Sequence, residues 1–346
     1  MTKVGVMGAT GYTGFELVRL LAAHGGVELV ALTSESYAGR PYAEVFPAFG
    51  GVVDLACEKA DAESLGARCG LVFAALPHGA AMGAVPALLS AGARVVDLSA
   101  DYRLREPRLY REWYRTEHTS PHLLEESVYG LPELHRDALR SARLVANPGC
   151  YPTGAIPGLA PLVREGRVRP ESLIVDAKSG VSGAGRKADP ALQFSEVNES
   201  FKAYGVGVHR HTPEIEQELS ALAGAPVGVT FTPHLVPMTR GILTTIYADL
   251  AAPATTAELL GLFREFYAGE RFVRVRGEGD YPSTGQVLGS NFVDIGLRAD
   301  PARGKVVVVT ALDNLVKGAA GNAVQNMNLM LGLSEECGLL GPGLWV

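Results

Sequence analysis

The sequence has few cysteines, and their spacing is not that of a metal or disulfide site. The four are Cys57, Cys69, Cys150 and Cys337. No two of them form a C-x-x-C pair, so zinc-finger spacing is missing, and their density is far below that of a disulfide-rich domain. No stretch approaches the ~18–20 consecutive apolar residues of a membrane helix, and the N-terminal TKVGVMG lacks the longer apolar region of a signal peptide. We expect a cytoplasmic protein with no metal site and no membrane partner.

The sequence also has no excess of positive charge. The chain carries 31 basic and 37 acidic residues, a net charge of −6, so electrostatics give no reason to expect nucleic acid as a partner. Apolar residues make up 47% and charged residues 20%, close to average globular usage, which excludes disordered, collagen-like and coiled-coil classes. A length of 346 residues suits two domains.

The pattern of apolar runs divides the chain into two parts. Strands are predicted at 3–7, 27–33, 71–76, 94–98 and 144–146, with helices after residue 14 and at 80–90. This alternation predicts a parallel sheet whose ligands bind beyond the carboxyl ends of the strands. Later strands at 227–232, 242–250, 292–297 and 305–311 alternate as in a mixed sheet with one wet face, with helices at 256–268 and 315–331.

These elements predict an α/β fold. A Rossmann-type dinucleotide-binding domain is expected at 1–149 and 315–346, because the last helix is expected to return to it. A second α+β domain with a mixed sheet is expected at 150–314.

A glycine turn follows the first predicted strand. In Gly8-Ala9-Thr10-Gly11-Tyr12-Thr13-Gly14 the first glycine permits the tight turn, the second allows the backbone to approach a pyrophosphate, and the third allows close packing of helix and strand. N–H groups at the helix start then face the anion. We expect nucleotide binding here, with Thr10, Tyr12 and Thr13 beside the glycines. The alternative is a structural turn.

The loop after the second strand bears on the choice of cofactor. Ser34, Ser36 and Arg40 could surround a 2′-phosphate, which favours NADP, whereas Glu35 argues against it if that side chain points inward. An ordinary solvated loop is the alternative. Pro77 and His78 follow a later strand end and are expected to line the cofactor site.

Cys150 lies in Asn147-Pro148-Gly149-Cys150-Tyr151, after a strand and at a predicted helix start. A free thiol with a pKa of ~8.5 is only slightly ionised at neutral pH, and a helix N-terminus lowers that value. Its N–H groups can also hold an oxyanion. This setting predicts an acyl-transfer nucleophile, the alternative being a small buried apolar residue. The other three cysteines are interpreted as structural.

Two histidines supply candidate bases for this cysteine. If the segment is extended, His209 and His211 face the same side, and Thr212 and Pro213 resemble a helix cap and first residue. A following helix N-terminus would favour the neutral imidazole of His211. The choice between the two histidines stays open.

Together these motifs resemble those of the N-acetyl-gamma-glutamyl-phosphate reductases, a family related to aspartate-semialdehyde dehydrogenase. The matching segments, in family order, are GATGYTG (8–14), ALPHG (75–79), DLSADYRL (97–104), YGLPE (129–133), ANPGCYPT (146–153), SGVSGAGR (179–186), HRHTPEI (209–215), PHLVPMTRGI (233–242) and DNLVKGAAGNAVQNMN (313–328). They span nearly the whole chain, so the match is specific.

The resemblance implies NADP dependence, reduction of an acyl phosphate to an aldehyde, and a thioester on Cys150. It implies that two loops approach the nicotinamide, through Ser179, Gly180, Ser182 and Gly183 in one and Asn314, Lys317 and Gly318 in the other. It also suggests a homo-oligomer, a dimer or tetramer.

The implied substrate carries a phosphate and a carboxylate. Arg103 is a candidate clamp for the phosphate, because a guanidinium matches its geometry. Asn147, Lys178 and Arg186 are further candidates for substrate binding, and for the last two a surface charge is the alternative.

Three other functions remain as alternatives. A reductase of carrier-protein-linked aminoadipate phosphate is disfavoured by the intact Asn147-Pro148, because that group's cysteine loop lacks it. Aspartate-semialdehyde dehydrogenase is disfavoured by HRHTPEI and ANPGCYPT. A non-catalytic NADP-binding regulator would need no nucleophile.

Overall fold

The computed structural model describes residues 1–345, which form two units. The first comprises Met1–Pro148 and Ala319–Leu340, and the second comprises Gly149–Gly318 with the residues from Gly341 onward. No helix within residues 1–345 is both long and apolar enough to cross a membrane. All four cysteines are free thiols.

The unit boundaries differ slightly from the predicted ones. Residues 315–318 lie with the second unit, because the Gly318 N–H donates to the Asp313 carbonyl over 2.9 Å. The C-terminal segment also lies with the second unit, where the Leu344 N–H donates to the Leu288 carbonyl over 2.7 Å. The second bond joins positions that are far apart in the sequence, which only the folded chain brings together.

The described residues of the first unit form a seven-stranded, all-parallel sheet. In chain order its strands are β1 (Thr2–Met7), β2 (Val27–Thr33), β3 (Cys57–Glu58), β4 (Leu71–Ala74), β5 (Arg94–Asp97), β6 (Val128–Tyr129) and β7 (Leu144–Ala146). They are arranged in the order β3-β2-β1-β4-β5-β7-β6. The central strands are continuous apolar runs, as β4 illustrates, because helices cover both faces of such sheets.

Helices connect these strands. They are α1 (Tyr12–Ala22), α2 (Tyr42–Val45), α3 (Ala62–Arg68), α4 (Ala81–Ser90), α5 (Pro107–Tyr114) and α6 (Pro132–Ser141). Short 3-10 turns of the chain lie at Pro47–Phe49, Pro121–Leu123, Pro170–Ser172, Val181–Ala184, Pro190–Leu192 and Thr284–Gln286.

The second unit is built on a mixed seven-stranded sheet. Its helices are α7 (Cys150–Arg164), α8 (Phe194–Val197), α9 (Thr212–Ala223) and α10 (Thr256–Phe266). Its strands are β8 (Leu173–Gly180), β9 (Lys202–Ala203), β10 (Val229–Val236), β11 (Ile242–Asp249), β12 (Val273–Val275), β13 (Val293–Asp300) and β14 (Lys305–Leu312). The sheet order is β12-β13-β14-β11-β8-β10-β9, with parallel pairs β8–β10 and β12–β13 and antiparallel pairs elsewhere.

Strand β8 lies inside this sheet and was not predicted. The hydrophobic core of the second unit, hereafter the core cluster, includes the buried side chains of Leu159, Ile215, Phe231 and Ile246. Val175 and Ala177 face this core cluster, whereas Asp176 and Lys178 alternate with them on the other face. The polar residues interrupt the apolar run, and only pairing with β10 and β11 makes the segment a strand.

The last predicted helix is interrupted at its start. Residues Val316–Ala320 form a π-helical turn, and α11 covers Gly321–Met330 in the first unit. Every residue of α11 is buried, including Asn322 and Asn326. The prediction of one helix over 315–331 was therefore wrong at its first turn.

Candidate active site

The glycine turn between β1 and α1 leaves no room for side chains at two positions. Gly8 has a φ of +74°, and a Cβ built there would lie 2.3 Å from the Ala75 carbonyl oxygen. A Cβ at Gly14 would lie 2.2 Å from the Gly8 oxygen. Gly11 is the N-cap of α1, and no side chain caps the helix, so its first N–H groups face the turn. This geometry fits the anionic pyrophosphate of a dinucleotide.

Hydroxyl groups at the end of β2 and just after it form hydrogen bonds with this turn. The Thr10 and Ser34 hydroxyl oxygens lie 2.8 Å apart, and the Gly8 N–H donates to Thr33 Oγ1 over 3.2 Å. Ser36 and Arg40 are exposed in the loop that follows β2, where the Arg40 guanidinium lies 5.9 Å from the Tyr37 ring centre. Tyr12 and Thr13 begin α1. These positions share the carboxyl edge of the sheet, and their contact with a cofactor stays a prediction.

Two carboxylates, not singled out from the sequence, organise the loops beyond β4 and β5. Asp101 accepts the Gly79 N–H at 2.8 Å and the Tyr110 hydroxyl at 2.7 Å. His78, next to Pro77, accepts the Ala100 N–H at its Nδ1 over 3.1 Å. The available signal was the pair of aspartates in DLSAD immediately after an apolar strand.

The other carboxylate, Asp97, is fully buried at the end of β5. Burial, and then the charge of Asp101, raises the pKa of Asp97 to about 7, although Ser99 donates its N–H and its hydroxyl to the carboxylate. A buried charge beside a like charge favours the protonated form. Asp97 therefore titrates near neutrality in the folded protein.

Asp97→Asn is expected to change how stability depends on pH. The folded protein keeps a proton on Asp97 up to about pH 7, whereas the reference pKa is 3.8. Between these values the folded state binds more protons, so the wild type loses free energy of unfolding as pH rises. In urea unfolding at about pH 5 and about pH 8, the wild type should lose on the order of 2 kcal/mol relative to the variant. Parallel curves for the two proteins would contradict the raised pKa.

Arg103 and Asn147 form hydrogen bonds with other groups of the protein. The buried Arg103 guanidinium donates to the Asn147 carbonyl over 2.8 Å and to the Leu98 carbonyl over 3.0 Å. The Asn147 side chain accepts the amides of Asn322 and Asn326 at 2.9 and 3.1 Å. Both residues therefore brace the end of β7, and their roles in substrate binding stay predictions.

Cys150 is the first residue of α7, as predicted, with Gly149 as the N-cap. The thiol-bearing residue is half-buried against the core cluster of the second unit. The Gly149 N–H donates to Oε1 of the buried Glu214 over 2.7 Å, so that N–H is already engaged. Glu214 was missed because its partner lies 65 positions away in sequence.

The two histidines lie together, although the segment is a turn and not extended. The Thr212 N–H donates to the His209 carbonyl over 3.0 Å, and the two imidazole centres are 4.8 Å apart. His211 is the N-cap of α9 and Thr212 its first residue, one position earlier than predicted.

Aromatic side chains surround His209. Its ring contacts Tyr151, Tyr204 and Phe231 edge-on at 5.5, 5.5 and 5.3 Å. Burial, and then the charge of Arg210, lowers the pKa of His209 to about 4, so the ring is neutral at physiological pH. Its Nδ1 accepts the His211 N–H at 3.1 Å. The ring centres of Tyr151 and His211 also lie 5.8 Å apart. Tyr151, the residue after Cys150, therefore contacts both histidines.

Loop 179–183 is braced from within the second unit. Asn314 accepts the Gly241 N–H at 2.8 Å and donates to the Ser182 hydroxyl over 2.9 Å. The Gly180 N–H donates to the Gly241 carbonyl, and the Ser179 hydroxyl to the Gly180 carbonyl.

Gly183 belongs to the same packing, because a Cβ there would lie 3.1 Å from the Ser179 hydroxyl oxygen. Lys317 is fully buried, with its ammonium 5.8 Å from the Phe272 ring centre. The side chains of Asn314 and Lys317 thus contact protein groups, and contact of these loops with a cofactor stays a prediction.

The structure places Lys178 on strand β8 and Arg186 in the exposed segment that follows the loop at 179–183. Lys178 lies on the face of the sheet opposite the core cluster, where its Nζ is 3.0 Å from Asp176 Oδ1. The same oxygen is 3.0 Å from His234 Nδ1. Arg186 is exposed beyond the loop. The roles of Lys178 and Arg186 in substrate binding stay predictions.

Comparison with known proteins accounts for both units. Residues 3–142 match the family model described as semialdehyde dehydrogenase, NAD binding domain, and residues 150–314 match semialdehyde dehydrogenase, dimerisation domain. Among solved structures, aspartate semialdehyde dehydrogenase II from Vibrio cholerae complexed with ASA gives a TM-score of 0.74 at 18% identity, covering 96% of this chain and 98% of that one. The NADP complex of aspartate semialdehyde dehydrogenase from Candida albicans gives 0.69 at 18% identity, covering 96% and 98%. The fold is thus that of the semialdehyde dehydrogenases, a class of oxidoreductases.

Curated relatives narrow the class. An N-acetyl-gamma-glutamyl-phosphate reductase from Symbiobacterium thermophilum is 59% identical over 99% of this chain and 98% of its own length. One from Desulforamulus reducens is 55% identical over the full length of both chains. The chain belongs to the N-acetyl-gamma-glutamyl-phosphate reductase family.

Proposed function

We propose that this enzyme reduces N-acetyl-gamma-glutamyl phosphate with NADPH to N-acetylglutamate 5-semialdehyde and phosphate, a step of arginine biosynthesis. The observation that carries the chemistry is Cys150 at the first position of α7, followed by Tyr151, whose ring contacts both His209 and His211. The names of relatives at 59% and 55% identity support the substrate.

The covalent steps belong to Cys150. Its thiolate attacks the acyl carbon, the carbon–phosphate oxygen bond breaks, and phosphate leaves with the bonding electrons to give a thioester. Addition of hydride to the thioester carbonyl would give a thiohemiacetal oxyanion, whose electron pair re-forms the carbonyl while the carbon–sulfur bond breaks and sulfur keeps the bonding electrons. The aldehyde departs and the thiolate is regenerated.

Few backbone donors at the helix start can stabilise the oxyanion. Glu214 already engages the Gly149 N–H, and Pro152 has no N–H. We assign the oxyanion to the backbone N–H groups at the start of α7, apart from Gly149, whose N–H donates to Glu214, and Pro152, which has none. The sequence alone predicted only that N–H groups near Cys150 hold the oxyanion, so the structure reduces the number of candidate donors.

NADP fits the glycine turn of the first unit. Gly8 and Gly14 let the turn pack tightly against the backbone of Ala75 and of the turn itself, and the uncapped start of α1 offers N–H groups for the pyrophosphate. NADPH, when bound, supplies the hydride. Ser34, Ser36 and Arg40 are the residues to which we assign the 2′-phosphate, with Thr10 beside them.

We assign acid–base catalysis to His211 and a supporting role to His209. Nδ1 of the neutral His209 is occupied as an acceptor, which leaves its other nitrogen as a donor. His211→Asn should lower kcat by ~10²–10⁴-fold with little change in KM, the usual effect of losing a general acid–base group. His209→Asn should chiefly raise KM for the acyl phosphate. Both variants would be measured by steady-state kinetics across a range of pH. If His209→Asn lowered kcat and His211→Asn raised KM, the two histidines would have exchanged roles.

The function is tested by the reverse reaction with phosphate. Oxidation of N-acetylglutamate semialdehyde, aspartate semialdehyde and carrier-linked aminoadipate semialdehyde would be compared, each with NADP and with NAD. We expect N-acetylglutamate semialdehyde with NADP to give the highest kcat/KM. Preference for the carrier-linked substrate would identify the lysine-pathway alternative. NADPH binding without turnover of any substrate would identify a regulator.

We also propose a cytoplasmic homo-oligomer formed through the second unit. Its family model is named a dimerisation domain, and Ile174 and Tyr247, cross-strand neighbours on the face opposite the core cluster, are 45% and 43% exposed. Light scattering should give at least twice the chain mass of 36.5 kDa, and a monomer at micromolar concentration would contradict the proposal.

A further inference from the structure

A buried aspartate follows β14 and holds the turn that leads to Gly318. Asp313 is fully buried. Its Oδ1 accepts the N–H groups of Leu315 and Val316 at 2.8 and 3.2 Å. Its Oδ2 accepts the Gly289 N–H at 2.7 Å. One carboxylate thus orders the start of the π-helical turn and ties it to a separate loop.

Positive charge balances this carboxylate. Arg240 Nη1 lies 3.6 Å from Asp313 Oδ2. Three N–H groups and a guanidinium therefore converge on two oxygens, which only an ionised carboxylate can satisfy. An asparagine of the same shape has one acceptor atom, so its amide N–H₂ would face at least one of these donors.

The turn held by Asp313 contacts the nucleophile. The Gly318 N–H donates to the Asp313 carbonyl over 2.9 Å. A Cβ built on Gly318 would lie 3.0 Å from Cys150 Cβ and 3.2 Å from Leu312 Cδ1. The backbone of Gly318 is therefore packed closely against Cys150, and a side chain at this position would require the neighbouring atoms to shift by a few tenths of an ångström. π-helical turns are rare and occur often at functional sites.

Asn314, the residue after Asp313, connects this turn to two other loops. Its side chain accepts the Gly241 N–H and donates to the Ser182 hydroxyl. A shift of the chain at 313–314 would thus move the wall beside Cys150 and would also disturb loop 179–183.

We infer that Asp313 is a positioning residue for the nucleophile: its carboxylate holds the π-helical turn so that Gly318 packs against Cys150 and sets the position of the thiol. The inference rests on the proposed role of Cys150. The inference goes beyond the catalytic role of Cys150, because it makes the reactivity of the thiol depend on the Asp313 carboxylate, which lies near the other end of the unit's sequence.

Alkylation by iodoacetamide tests this without substrate or cofactor. Peptide mass spectrometry would give the rate for Cys150 relative to Cys337, a half-buried thiol of the first unit, in the same molecule. Asp313→Asn should lower this ratio by about tenfold to a hundredfold, because a thiol displaced from the N–H groups at the helix start forms less of the reactive thiolate. It should lower kcat to a similar extent and leave KM for the acyl phosphate within about twofold.

Asp294→Asn is the matched control. Asp294 is also fully buried in the second unit and pairs with Arg274 and Arg276, and it has no bond to the turn beside Cys150 among the described contacts. It should lower the melting temperature and leave the alkylation ratio unchanged. Gly318→Ala, which keeps Asp313 intact but adds the clashing methyl group, should lower the ratio as Asp313→Asn does.

Three outcomes decide the inference. A lower ratio in Asp313→Asn or, if that variant does not fold, in Gly318→Ala supports it when Asp294→Asn keeps the wild-type ratio. Equal ratios in folded Asp313→Asn, Gly318→Ala and Asp294→Asn would overturn it and leave the proposed function intact. A wild-type Cys150 that is alkylated no faster than Cys337 would overturn both.

Discussion

Cys150→Ser should lower kcat by about three orders of magnitude or more while NADPH binds as tightly as in the wild type. The serine hydroxyl is far less acidic than a thiol, so almost no nucleophile exists at neutral pH. The substitution removes no contact of the glycine turn, which belongs to the other unit. Steady-state turnover and a fluorescence titration with NADPH would measure the two effects separately.

Cys337→Ser is the control for this experiment. Cys337 is a half-buried free thiol of the first unit, whose sulfur lies 4.0 Å from His24 Nδ1. That variant should keep wild-type turnover. Substantial reductase activity in Cys150→Ser, measured on protein free of wild-type enzyme, would rule out the covalent mechanism.

Gly14→Ala should abolish measurable NADPH binding and destabilise the first unit. The added Cβ would lie 2.2 Å from the Gly8 oxygen and 2.7 Å from the Ala9 Cα. All of these atoms are backbone, so the turn itself must move. Overpacking of this kind typically costs about 1–3 kcal/mol. Isothermal calorimetry with NADPH and urea unfolding would measure the two losses.

Two other glycines separate steric damage from loss of the ligand site. Gly11 has a φ of −75°, and a Cβ there would meet only the Gly8 oxygen at 3.7 Å, so Gly11→Ala should keep its stability yet bind NADPH more weakly. Gly83, in α4, has open space at its Cβ position, and Gly83→Ala should keep both properties. Wild-type NADPH affinity in Gly14→Ala would show that the dinucleotide binds elsewhere.

Features that depend on neighbouring residues were predictable from the sequence. The β1–glycine turn–α1 unit was expected, because the tight turn and the close helix packing need glycine wherever the rest of the chain lies. The position of Cys150 at a helix start was likewise expected, since Leu144–Ala146 is a short apolar strand and Pro148-Gly149 interrupts it. Strand 27–33 was predicted at its observed bounds.

Long-range contacts decided what the sequence pattern left open. The predicted extended segment at His209–His211 is a turn whose rings meet in an aromatic cluster supplied by Tyr151, Tyr204 and Phe231. Arg103 and Asn147 carry polar groups suited to a substrate, yet the fold surrounds them with carbonyls and amides from distant positions. Composition cannot distinguish these two uses of the same side chain.

The division between the two kinds of information has a physical basis. Helix starts, tight turns and strand alternation are set by backbone sterics and hydrogen bonds over a few residues, so the sequence by itself specified them. The partners of Gly149, Gly318 and Lys178 are set by which strands pair and which face each side chain occupies, and β8 enters the sheet only through β10 and β11. Those choices give most buried polar groups a hydrogen-bond partner, often one that is distant in sequence, and the tertiary structure alone made them.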